Sequence, residues 1–191
     1  MVGENQTPPL TSAIEQIVLN PRWYVSDRIR MELNGAAASD PAYFSRQGYV
    51  EMSAHHPWGQ PRLFMPPGPT NPLGRVKFEF PNPYAVYLHD TPKKGLFQRE
   101  RRDFSHGCVR VERAKELAEI LLKDDGNPSS DKLQDYFSSY RQAYIRLTQP
   151  IPIIIEYQQV SFNERNEVVF CGDPYGWFRE TAQVKSQDLQ G

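Results

Sequence analysis

Acyl transfer through a thiol needs a cysteine, a base to take its proton, a group to orient that base, and donors for the oxyanion that forms on attack. One segment of this chain offers a candidate for each. It runs His89-Asp90-Thr91, then a loop, then Ser105-His106-Gly107-Cys108-Val109-Arg110-Val111. His89 ends a stretch that reads as a strand, a rigid platform from which an imidazole can face a pocket. Gly107 allows the tight turn that aims two successive backbone N–H groups at one point. His106, two residues before the cysteine, adds a side-chain donor. An imidazolium beside Cys108 is expected to lower its pKa towards neutrality. Singly these are weak signals, since a cysteine is most often a small buried hydrophobe. The combination is specific: His, fifteen residues, then Ser-His-Gly-Cys-Val-Arg.

These residues need a scaffold, and the chain reads as a β-rich α+β domain. Residues 13–19 fit strand or helix, and the Ile-Val pair before Asn20-Pro21 favours a strand ending in a turn. Ser26-Asp27 caps a short helix, and Asp40-Pro41 caps another that Gly48 stops. Arg75 to Phe80 alternates polar and apolar, the half-buried strand pattern. Tyr84 to His89 is apolar on both faces and reads as a central strand. Helices are expected from about Glu112 to Lys123 and from Ser130 to Tyr140. Strands at Ala143–Thr148, Ile153–Val160 and Glu167–Phe170 would close the domain, ahead of a polar tail over 181–191.

Length and composition bound the rest. With 191 residues the chain holds one ordinary domain. A net charge of -1 gives no support to nucleic-acid binding or to a polybasic membrane surface. No apolar run is long enough for a transmembrane segment. Prolines number 17, roughly twice the usual share of about 5 %, and they crowd residues 57–92, which must be largely loop and short strand. Two cysteines make no disulfide framework. The first residues lack a basic segment followed by an apolar one, so no export signal is expected in this chain.

The His89–Val111 segment resembles the signature of the L,D-transpeptidase (YkuD-type) family: a His, a loop of this length, then Ser/Thr-His-Gly-Cys. Tyr87 through Pro92, Leu96-Phe97, Arg102, Asn20-Pro21-Arg22-Trp23 and Pro67 through Gly74 are similar to its large periplasmic branch with a capping subdomain. The resemblance covers about Pro8 to Arg179. It implies a catalytic domain over 1–180, a β-sandwich or mixed sheet with short helices and a lid or capping insertion at about 35–74. It also implies that strands preceding Pro8 in the family are missing here.

The family cleaves the bond between the third residue of a peptidoglycan stem tetrapeptide and the terminal D-Ala. It passes through a thioester and hands the acyl group to the amine of a second stem, a 3→3 cross-link. Carried over, Cys108 is the nucleophile and His89 the base, oriented by the backbone carbonyl of Asp90. The oxyanion site is formed by Gly107, Cys108 and the side chain of His106. Arg110, where many members have Asn, suits a stem-peptide carboxylate; Ser105 and Asp90 join it on the substrate-binding side. Peptidoglycan stem peptides are the implied partners, the periplasm the implied location, and no cofactor is called for.

Other readings are weaker. His89, His106, Cys108 and Cys171 are zinc-ligand types, but His-X-Cys is not a structural zinc spacing and no C-x₂-C pair occurs, so no metal is expected. His55-His56 reads as solvated loop, Cys171 as an inert strand-end residue, Arg99–Arg102 as a solvated face, and Tyr175 and Trp177 as core or sheet-edge aromatics. Two functional alternatives keep the resemblance: an L,D-carboxypeptidase or hydrolase of wall-linked protein with the same nucleophile, and an inactive stem-peptide-binding remnant.

Overall fold

The computed structural model describes residues 6–52 and 62–178. His55, His56, Trp58 and the polar tail lie outside the described residues.

The chain forms β1 (Leu10–Leu19), β2 (Trp23–Tyr24), α1 (Asp27–Ala37), α2 (Tyr43–Arg46), β3 (Val50–Glu51), β4 (Leu63–Met65), β5 (Val76–Glu79), β6 (Leu88–His89), β7 (Val109–Arg110), α3 (Ala114–Asp124), α4 (Leu133–Ser139), β8 (Ala143–Ile155), β9 (Val160–Phe162) and β10 (Val168–Phe170). The fold is mixed α+β with several sheets and short helices. The main sheet has the order β7-β6-β5-β1-β8, β2-β4-β3 forms a small second sheet, and β9 pairs with β10. Only β6 and β7 run parallel within the main sheet.

Strand alternation gives the main sheet two unlike faces. Ile17, Leu19, Val76 and Phe78 are fully buried on one of them. α3 joins the same core through Ala114, Ala118 and Leu122, one helical stripe at i, i+4, i+8. The two alanines let the helix approach the sheet closely. The opposite face carries Gln16, Lys77 and Glu79, with Gln16 opposite Glu79 and Lys77 opposite His89. That polar face is where the chemistry-bearing residues lie.

Several elements differ from the sequence reading. The strand expected over Tyr84–His89 is reduced to Leu88–His89. Asn82 is the cause: its Nδ2 donates to the carbonyls of Phe80 and Val86 while its Oδ1 accepts from the N–H groups of Tyr84 and Val86. Ala85 then takes φ 54°, outside any strand conformation. β8 is one strand where two were expected. It pairs with β1 from Ala143 to Ile155 across a register shift, and as an edge strand it tolerates Pro150 and Pro152 without losing a needed donor. The expected 130–140 helix opens as a 3-10 turn, Pro128–Lys132, capped by Asn127, before α4 begins. Asp40 is not the helix cap itself; its carboxylate accepts the Ala42 N–H at 3.1 Å and pairs with Arg46, the last residue of α2.

Candidate active site

β6 and β7 lie side by side in parallel, with Leu88 opposite Val109 and His89 opposite Arg110. The Val109 N–H donates to the Tyr87 carbonyl at 3.1 Å and the Val111 N–H to that of His89 at 2.8 Å. Side chains alternate across strands, so Tyr87, His89, Cys108 and Arg110 share one face, with Lys77 of β5 next to His89. Residues far apart along the chain thus converge because two very short strands pair in one register.

His89 is 5 % exposed, and its Nδ1 lies 2.5 Å from the carbonyl oxygen of Asp90. A carbonyl only accepts, so Nδ1 carries the hydrogen and the Nε2 lone pair is left available. Burial pushes the imidazole pKa down to about 4, and the charges of Arg110 and Lys77 act in the same direction against the Asp90 contacts. The ring is therefore neutral at pH 7.

Cys108 is a free thiol, half-buried. Burial raises its pKa, while the backbone and side-chain hydrogen bonds of Tyr87 and the charge of Lys77 oppose that rise without overcoming it. The expected lowering is not found, because a neutral His89 supplies no imidazolium. Tyr87 is itself raised, by burial first and then by Cys108 and Glu79. Beneath it the Lys77 ammonium stands 4.2 Å from the centre of the Tyr87 ring and 2.6 Å from Glu79, whose other oxygen takes a hydrogen bond from Gln16.

Gly107 adopts φ 112°, a left-handed value suited to glycine, and its N–H donates to the Ser105 hydroxyl at 3.3 Å. A Cβ at Gly107 would stand 3.4 Å from the Gln6 carbonyl. His106 points away from Cys108 to α1, where its Nε2 lies 3.2 Å from a Glu32 carboxylate oxygen. The carboxylate of Asp90 is also turned from the cavity: it accepts the Arg75 N–H at 2.8 Å and pairs with Lys94 at 2.6 Å. Arg110 reaches the Phe104 carbonyl through Nη2 at 3.4 Å, and its buried Nε has no partner among the described residues. Burial lowers its pKa.

Cys108 opens into a cavity of about 250 Å³ with Phe97, Arg102, Phe104, Arg110 and Tyr175 in its walls. Arg110 also borders a second cavity of about 540 Å³, between α2 and the Thr91–Lys93 turn, to which Arg46 and Lys93 add positive charge. Among the described residues no three His, Cys, Asp or Glu side chains are grouped as metal ligands.

Sequence reasoning gave no site role to Tyr87 or Lys77 and read Tyr175 as a core or sheet-edge aromatic. The signal for Tyr87 was present, since it stands two residues before His89 and so on the same strand face. Lys77 and Tyr175 enter only through tertiary contact.

The sequence profile of the YkuD L,D-transpeptidase catalytic domain matches residues 1–147. A curated Haemophilus influenzae protein named "Putative L,D-transpeptidase" is 32% identical over 196 residues, an alignment spanning 94% of this chain and 40% of that protein. The chain thus spans about two fifths of the length of that relative. It belongs to the YkuD L,D-transpeptidase catalytic-domain family.

Proposed function

We propose that this chain is a cysteine acyltransferase that forms 3→3 cross-links between peptidoglycan stem peptides. The observation that carries the reading is the shared strand face of His89, Cys108 and Arg110, with Cys108 and Arg110 lining one cavity and the His89 tautomer set by the Asp90 carbonyl.

The chemistry follows from those positions. A donor stem binds with the carboxylate of its terminal D-Ala on the Arg110 guanidinium, whose buried Nε supplies an unused donor. That anion offsets one of the charges that depress His89, so substrate binding makes the imidazole a stronger base. With the thiol raised and the imidazole lowered, thiolate is scarce at rest. His89 Nε2 takes the proton as Cys108 Sγ attacks the carbonyl of the third stem residue, forming the C–S bond. The Gly107 and Cys108 N–H groups stabilise the oxyanion, the first of them leaving its bond to Ser105. Collapse breaks the C–N bond, and His89 returns its proton to the departing D-Ala amine.

The side-chain amine of a second stem then attacks the thioester, His89 takes that proton, and the thiol is restored. His106 would join the oxyanion site only after leaving Glu32. A substrate in the wall places the working enzyme in the periplasm.

The test is intact-mass measurement after incubation with a carbapenem, a β-lactam that acylates this family, using the wild type and Cys108→Ala. The expected result is one adduct on the wild type and none on the variant. A folded wild type that takes no adduct, or a variant that takes the same one, overturns the reading. Formation of a cross-linked dimer from purified tetrapeptide stems then distinguishes transfer from hydrolysis.

A further inference from the structure

The family match ends at residue 147, yet one residue beyond it, Tyr175, lines the cavity of the proposed nucleophile. Tyr175 belongs to the segment 173–178. Asp173 organises it, its carboxylate accepting from the Tyr157 hydroxyl at 2.5 Å and from the backbone N–H groups of Trp177 and Phe178. Tyr157 in turn stacks on Tyr175, ring centres 5.0 Å apart and 16° from parallel, and on Phe178 at 5.7 Å. Trp177 packs against both tyrosines.

The cluster is tied to the start of the chain and through it to the catalytic loop. The Tyr175 hydroxyl accepts the Thr7 N–H at 3.2 Å, and the Trp177 indole N–H donates to the Gln6 side chain at 3.0 Å. The Gln6 carbonyl is the atom nearest to where a Cβ on Gly107 would lie. Tyr175 is thus held from behind by a stacked partner and from its tip by a hydrogen bond, a plate that cannot swing aside without breaking both.

We propose that Tyr175 is a specificity-determining residue: its ring limits the size of the group that lies beside Cys108, and so selects the residue that leaves. The chemistry of the other walls fits that role. Arg102 and Arg110 offer cations for a terminal carboxylate, while Phe97, Phe104 and Tyr175 offer apolar faces to a side chain. The ligand class is a peptide ending in a small D-residue with a free carboxylate. This rests on Cys108 being the nucleophile.

The test uses Tyr175→Ala and Tyr175→Trp in a Cys171→Ser background, with melting curves to establish folding. Cys108 modification is followed by mass with a small reagent, iodoacetamide, and a bulky one, an N-aryl maleimide. Stems ending in D-Ala or in D-Phe are then compared as donors. Tyr175→Ala should speed the maleimide at least tenfold with iodoacetamide changed less than threefold, and should raise kcat/KM for the D-Phe donor relative to D-Ala. Tyr175→Trp, which keeps a stacked ring, should move both ratios the other way. Equal changes for the two reagents, or none in folded protein, overturn the proposal. If Tyr175→Ala does not fold, Tyr175→Trp alone decides by the same ratios. If no donor is turned over by any variant, the function is refuted while the thiol-reagent ratio still judges the wall.

Discussion

Gly74 lies so close to the Asp90 side chain that a Cβ on residue 74 would stand 2.4 Å from the carboxylate oxygen Oδ2. The same oxygen accepts the Arg75 N–H at 2.8 Å, and the Asp90 N–H donates to the Val76 carbonyl. The turn entering β5 thereby fixes the residue whose carbonyl holds His89. The His89 ring is oriented by a backbone group, and that backbone is fixed by a glycine far from Cys108 in sequence.

Gly74→Ala should therefore lower both stability and activity. Its φ of +60° disfavours alanine, and the methyl group must displace a buried carboxylate. We expect a loss of about 2 kcal/mol or more in denaturant unfolding, with carbapenem acylation of Cys108 slowed at least tenfold in the protein that remains folded. Gly48→Ala is the control. It has φ +81° but open space around the added methyl, so it should show the smaller backbone penalty alone. Equal effects from the two variants would show that the Asp90 contact is immaterial.

The depressed His89 pKa makes two pH predictions. By the proposed mechanism acylation of Cys108 uses neutral imidazole, so its rate should hold as pH falls through 6 and drop only towards about 4. For stability the sign follows from linkage. The folded pKa lies below the unfolded value of about 6.5, so the unfolded state binds the proton first. Stability present above pH 6.5 is then lost as pH falls towards 4, by an amount on the order of 3 kcal/mol. His89→Gln should flatten that part of a denaturation series between pH 7 and 4. A rate that titrates near 6.5 would contradict the buried neutral ring.

Arg110 acts on the same ring through its charge. Arg110→Gln removes one of the influences lowering His89, so the acid limb of the acylation profile should move to higher pH. It also removes a charge-assisted contact for a donor carboxylate, typically about 1.5–3 kcal/mol, so kcat/KM for a stem donor should fall by roughly 10- to 150-fold. A neutral methyl ester of the donor should lose far less. An unchanged profile together with an unchanged kcat/KM would remove Arg110 from the site.

How much of this was legible in the sequence depends on range. The Arg75–Phe80 strand and the Glu112–Lys123 helix were readable because their apolar periods are local and unbroken. Residues 13–19 fitted strand or helix, and only the Ile-Val pair before Asn20-Pro21 favoured the strand that forms. The shortening of the strand before His89 was not readable, since it depends on four hydrogen bonds from a single Asn82 side chain. The Ser-His-Gly-Cys motif identified the candidate residues but not their directions. His106 turns to Glu32, a residue of α1 more than seventy positions earlier, and no local pattern encodes that meeting. The protonation states were misjudged for the same reason: spacing brings a base near a thiol, whereas burial decides which form each takes.

Asn71 provides the last test, of how the turn before β5 is fastened to the small sheet. It is fully buried, and its Nδ2 donates to the carbonyls of Pro21, Met65 and Pro66 while Oδ1 accepts the Leu73 N–H at 2.8 Å. One amide thus joins the turn after β1, the end of β4 and the turn before β5. Asn71→Asp keeps the shape but turns an anion towards carbonyl oxygens, which can only accept. We expect a loss of about 3 kcal/mol at pH 7, comparable with a buried charge left without its partner. Burial raises the folded pKa of the new carboxyl, so the loss should shrink as pH falls and the acid is protonated. Asn71→Ala should show no such recovery, and a pH-independent penalty in both variants would mean that the amide N–H groups are not what holds the turn.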